Sequence, residues 1–223
     1  TYAMVAERLG MAESSVKRMF GRGGDMPVSR IDDICRIINL DFADLARRVA
    51  ELLGASGLPT DIDQRRGLDH GAWVPLMVAW PDADIPVVQL SVQTRLGPAH
   101  HYQLGQILAP LRDEGILIIG SGSFTHDLAS FRSSGGRIDA PEPDWVHAFA
   151  EWMASALRER RVDDLLNYRV LAPEAAHNHP TEEHLLPLYV ALGVAPEAVR
   201  HLHQSTTYGI LRMDAFAFGS VTS

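Results

Sequence analysis

The segment EGILIIGSGSFTHDL, residues 114–128, constrains this chain more than any other. Behind Gly115, Ile116 to Ile119 form an unbroken apolar run, mostly β-branched. Such a run, closed by glycines, predicts a strand buried on both faces. It gives way to Gly120-Ser121-Gly122-Ser123, a loop of little side-chain bulk, and His126 follows. In α/β folds ligand sites are built at the carboxyl ends of such strands. A tight turn carrying an exposed histidine is the competing reading of the same residues.

From Gly67 onward the surrounding texture supports an α/β layer. IPVVQLSV (85–92) predicts a strand, and 98–115 an amphipathic helix with Leu104, Ile107, Leu108 and Leu111 on one face. One or two helices are expected over 143–168, another over 181–194, and a final strand over 207–220. LDHGAWVPLMVAW reads as a loop entering a helix. The expected class is α/β, a mixed sheet with flanking helices, preceded by a small all-α region.

Composition narrows the function classes. The 223 residues carry 46% apolar side chains, enough for a sizeable core, and a formal charge of −8. That charge argues against nucleic-acid binding by the whole chain, though not against a local basic face. The single cysteine, Cys35, forbids an internal disulfide and suits a reducing cytoplasm. Its setting, IDDICRII, makes it a small core residue. No run approaches the roughly 20 apolar residues of a membrane span, so a soluble, cytoplasmic protein is expected.

Residues 1–53 read as short helices. AERLGMAESSVKRMF resembles the helix-turn-helix of the Xre/Cro-like repressor family: Ala6 and Leu9 pack the first helix, Gly10 turns, and Val16 seats the second. The resemblance implies that Ser14, Ser15, Lys17 and Arg18 face DNA. The chain starts inside what would be that family's second helix, and Glu13, Asp32, Asp33, Asp41 and Asp44 offset the arginines. A helical cap or dimerisation unit without DNA contacts is the alternative. The expected division is a helical region over 1–45 and an α/β domain over 46–223.

Three histidine-bearing segments carry the chemistry: Asp69-His70-Gly71, Ser123-Phe124-Thr125-His126, and His177-Asn178-His179 running to Glu182-Glu183-His184. His100, His101, His201 and His203 lie on helical patterns and are expected to be solvated. Trp73 and Trp80 suit a core or pocket wall.

The ordered set RRGLDHGAWVPL, ADIPVVQLSV, LAPLRDEGILIIGSGSFTH, LLNYR, HPTEEHLLPLYVALG and YGILRMDAFAFG resembles the class III extradiol ring-cleaving dioxygenases, in the DOPA 4,5-dioxygenase branch. The resemblance implies one Fe(II) or Zn(II) per chain, with a small aromatic diol and O₂ as reactants. It implies that His126 transfers protons and also contacts the metal. It places His70 over substrate or oxygen, with Ser123 and Thr125 at the substrate. His179 is then the metal ligand, with Glu183 the carboxylate alternative, His177 ranked lower, and His184 orienting a ligand. The family's first third, with two further histidine ligands, has no counterpart in residues 1–45, where there is no histidine. An apolar sheet edge left bare by that loss invites a homodimer. A DNA-binding regulator with an aromatic-sensing or dimerisation domain is the alternative function.

Overall fold

The computed structural model describes residues 42–83, 85–133 and 136–219, in two compact units that meet in sequence between Ser91 and Val92. The expected DNA-facing residues Ser14, Ser15, Lys17 and Arg18 lie outside the described residues.

In the first unit, helix α1 (Phe42–Ala55) buries Ala46 and Leu53 at helical spacing. The junction expected near residue 45 falls inside it. Helix α2 (His70–Ala79) starts at Asp69, whose carboxylate accepts the Ala72 N–H at 3.1 Å. Gln89 fixes the same aspartate twice: its amide donates to Asp69 Oδ2 at 2.6 Å and accepts the Asp69 N–H at 3.0 Å. Leu68 is buried there against Phe42, Trp73, Leu76 and Val87.

The second unit is built on a helix pair. Helix α3 (Gly97–Leu108) runs on as a 3-10 turn, Ala109–Arg112, and packs on helix α9 (Leu186–Val194). Two glycines permit the close approach. A Cβ on Gly105 would lie 2.1 Å from the Val190 carbonyl oxygen, and one on Gly193 would lie 2.0 Å from that of Tyr102. Between them in sequence come α4 (Leu128–Ser133), α5 (Asp144–Arg158), α6 (Val162–Leu166), α7 (Tyr168–Leu171) and α8 (Ala175–Asn178). Phe149, Met153 and Leu157 of α5 form one wall of the core, with Leu165, Tyr168, Leu186, Tyr189 and Leu192 opposite. The Tyr189 hydroxyl donates to Leu165 O at 2.9 Å, so this buried phenol is satisfied.

Two nested antiparallel ladders close the unit. Strand β1 (Val199–His203) pairs with β4 (Ala215–Phe218), and β2 (Thr206–Thr207) with β3 (Leu211–Arg212). The single final strand expected over 207–220 is therefore three short pieces, broken where Tyr208 and Gly209 take positive φ. The helix expected from residue 181 begins at Leu186.

The two strands expected at 85–92 and 116–119 form no ladder among the described residues. Leu117 is 67% exposed and Ile119 52%, so the central run is not buried on both faces. A β-branched run becomes a strand only where a neighbour supplies backbone donors and acceptors, and no described segment does so here. What does hold at this place is the glycine loop, which packs on the entry to α9. A Cβ on Gly120 would meet Pro187 O at 2.4 Å, and one on Gly122 would meet His184 O at 2.1 Å.

Three of the other histidines also depart from expectation. His101 is fully buried: its Nδ1 donates to Gly97 O at 2.7 Å and its Nε2 accepts the Gln93 N–H at 3.1 Å. It staples the start of α3 instead of facing solvent. His201 and His203 sit on a strand, not a helix. His201 lies flat on Phe216 and donates to Asp214 at 2.8 Å, whereas His203 is exposed beside Ser205. His100 stays on α3, edge-on to His101.

Candidate functional site

Two stretches far apart in sequence are fastened together in the second unit. Loop 122–127 lies along segment 177–184 in antiparallel order. Ser123 N–H donates to His184 O at 2.8 Å, and His126 N–H donates to Asn178 O at 2.9 Å. Between these bonds, His179 Nε2 donates to Phe124 O at 3.0 Å. Beyond them, Asp127 and His177 face each other at 3.7 Å. On its other side the loop is tied to the β2–β3 hairpin. The buried Thr125 hydroxyl donates to Ile210 O at 2.7 Å and accepts the Arg212 N–H at 2.9 Å.

These contacts put the rings of His126 and His184 face to face, 3.5 Å between centroids and 15° from parallel. Burial, then the neighbouring His184, push His126 below the ordinary imidazole value. It is therefore neutral at physiological pH and able to accept a proton. Glu183 Oε1 accepts the Thr181 hydroxyl at 2.8 Å and lies 3.3 Å from His184 Nδ1. Burial pushes the Glu183 carboxyl up, but the Thr181 hydroxyl, its own backbone N–H and the two histidines outweigh it, and the group stays ionised.

His179 differs from its neighbours. It is fully buried beside Phe149, and burial holds it neutral with a pKa of about 4. With Nε2–H committed to Phe124 O, its Nδ1 lone pair is buried without a hydrogen-bond partner among the described residues. Arg169 donates to the His179 carbonyl from behind.

Of the residues singled out in the sequence, Ser123, Thr125, His126, His179, Glu183 and His184 come together. Ser123 Oγ turns back to Thr125 O at 2.6 Å, and the Thr125 hydroxyl serves the hairpin. His70 lies in the first unit, exposed at the start of α2. His177 stacks on Trp145 at 3.7 Å, half-exposed. One contact and one residue carried little sequence signal. Segment 179–185 is turn rather than helix, so residue spacing does not reveal that His184 lies on His126. Asn178, a buried amide under the loop, is marked in the sequence only by its neighbours.

Residues 41–215 match the family described as the catalytic LigB subunit of aromatic ring-opening dioxygenase. The chain belongs to the LigB family. Among curated LigB-type relatives, the chain is 46% identical over 180 residues to a 4,5-DOPA dioxygenase extradiol of Beta vulgaris, covering 79% of this chain and 66% of that protein. It is 39% identical over 154 residues to the 4,5-DOPA dioxygenase extradiol of Escherichia coli K12, covering 67% and 54%. The crystal structure of an uncharacterized Escherichia coli K12 protein superposes with a TM-score of 0.65 at 33% identity, covering 78% of this chain and 72% of that one. This likeness supports an α/β assignment of LigB type. The chain thus spans about two thirds or less of the length of these curated relatives. The LigB match begins at residue 41, so the helix-turn-helix reading of the preceding segment has no finding behind it.

LigB dioxygenases are metal-dependent. The orphaned Nδ1 of His179 and the side-by-side rings of His126 and His184 are donor chemistry of the right kind. Yet among the described residues no three His, Cys, Asp or Glu side chains converge on one point to hold an ion. The described residues do not make a metal site by themselves.

Proposed function

We propose that this chain carries the proton-transfer half of an extradiol dioxygenase acting on a catechol of DOPA type, with His126 taking the catechol proton and returning one to the oxygenated ring. The observation that carries the reading is the His126–His184 stack, held by paired backbone bonds inside the family match. A neutral, half-buried imidazole is the right base for a phenolic hydroxyl near neutral pH. Ionised Glu183 favours the imidazolium that His126 becomes on taking the proton.

The remaining site residues take roles around this pair. The family resemblance assigns Fe(II) or Zn(II) to His126, His179 and Glu183; of these His179 offers an unpartnered Nδ1, and an ion there would need further donors from outside the described residues. Ser123 and the Thr125 backbone line the loop the substrate would meet. His70, on the first unit, is assigned to the substrate or oxygen side from the family resemblance alone.

The test is oxygen uptake by the purified chain after anaerobic loading with Fe(II), with 3,4-dihydroxyphenylalanine and 4-methylcatechol as substrates. The expected result is one O₂ consumed per ring-opened product. Oxygen consumption no faster than that of the free metal ion with either catechol rules the activity out.

A further inference from the structure

Asn178 is fully buried, and its side chain works through its donors alone. Its Nδ2 donates to Trp145 O and to Glu174 O, both at 3.1 Å, while Oδ1 accepts nothing among the described residues. The first bond ties the Ala175–Asn178 turn to the first turn of α5. The second adds to the Asn178 N–H bond on the same Glu174 carbonyl, at 2.9 Å. Glu174 needs that support. It sits at φ 53°, left-handed backbone that strains a non-glycine residue and persists only where neighbours fix it. From this braced turn the Asn178 carbonyl receives the His126 N–H.

We propose that Asn178 is a positioning residue for the histidine pair: its amide fixes the turn whose carbonyl holds the His126 backbone, and so sets how His126 lies on His184. Any role in ring opening rests on the function proposed above; the positioning itself does not. The side chain reaches no reacting atom. It acts on where His126 stands, and a misplacement of about 1 Å can cost about 100-fold in rate.

The experiment compares histidine ring signals by NMR at pH 8 in protein labelled at histidine, with His126 assigned through His126→Gln. Face-to-face stacking shifts the ring protons of His126 and His184 upfield of exposed His203. In Asn178→Ala both should move toward the His203 position. Tyr189→Phe is the control, since it deletes a buried hydrogen bond in the same unit without touching the loop. It should leave both signals in place while lowering the melting temperature. If Asn178→Ala does not fold, Asn178→Ser, which retains a donor in a smaller side chain, carries the same comparison. Unmoved signals in a folded Asn178 variant, or equal movement in Tyr189→Phe, would overturn the proposal. In metal-loaded protein the Asn178 variant should lose about 100-fold in kcat with KM nearly unchanged. Absence of turnover in the parent chain would remove the dioxygenase reading and leave the NMR result standing.

Discussion

Thr125 shows how a side chain that reads as substrate-facing can be structural. Its hydroxyl makes two buried hydrogen bonds to the hairpin, so Thr125→Val would leave Ile210 O and the Arg212 N–H unpaired. A loss of about 2–4 kcal/mol in unfolding free energy is expected from denaturant titration. A change under 0.5 kcal/mol would mean the hairpin is not held this way. His179 makes a prediction of opposite reach, since it depends on pH. Its pKa falls from an ordinary 6.5 to about 4 on folding, so the unfolded chain binds the extra proton first. Its contribution is complete above pH 6.5 and is lost as the pH drops toward 4. Buried His101 and half-buried His126 shift the same way. Metal-free protein should therefore lose on the order of 3 kcal/mol between pH 7 and pH 4.5. His179→Asn should flatten that slope, and an unchanged slope would show that His179 is not held neutral. The family resemblance singled out His179 over His177, but nothing in the local pattern HNHP shows that His179 is the buried one.

At the scale of elements, the long helices were readable, and of the expected strands only the 207–220 stretch forms strand, in pieces. Helix α5 announces itself through Val146, Phe149, Ala150, Met153 and Leu157, spaced to one face. Helix α3 does the same through Leu104, Leu108 and Leu111. Residues 85–92 and 116–119 have strand composition, yet strand formation is decided by a partner's backbone, which a local pattern does not contain. The glycines tell a similar story. Gly105 and Gly193 look like weak points in helices, but each removes a Cβ that would strike the facing helix. Gly193→Ala should force the pair apart and cost about 3 kcal/mol or more, measured as a drop in melting temperature. Full retention of stability would contradict the close crossing.

At the scale of the whole molecule, the ordered segments of residues 46–219 resembled one family, and the match over 41–215 bears that out. The candidate site was legible as a list of histidines but not as a geometry. His126 and His184 are 58 residues apart and meet only because loop 122–127 pairs with segment 177–184. No helix among the described residues is long and apolar enough to cross a membrane. The central claim, that His126 moves the proton in ring opening, is tested most directly by comparing His126→Gln with the parent chain. Both are loaded with Fe(II) and supplied with 3,4-dihydroxyphenylalanine and O₂. The account predicts a fall of about 10²- to 10⁴-fold in the rate of ring-opened product, with the fold intact by circular dichroism. Equal rates in the two proteins would contradict it.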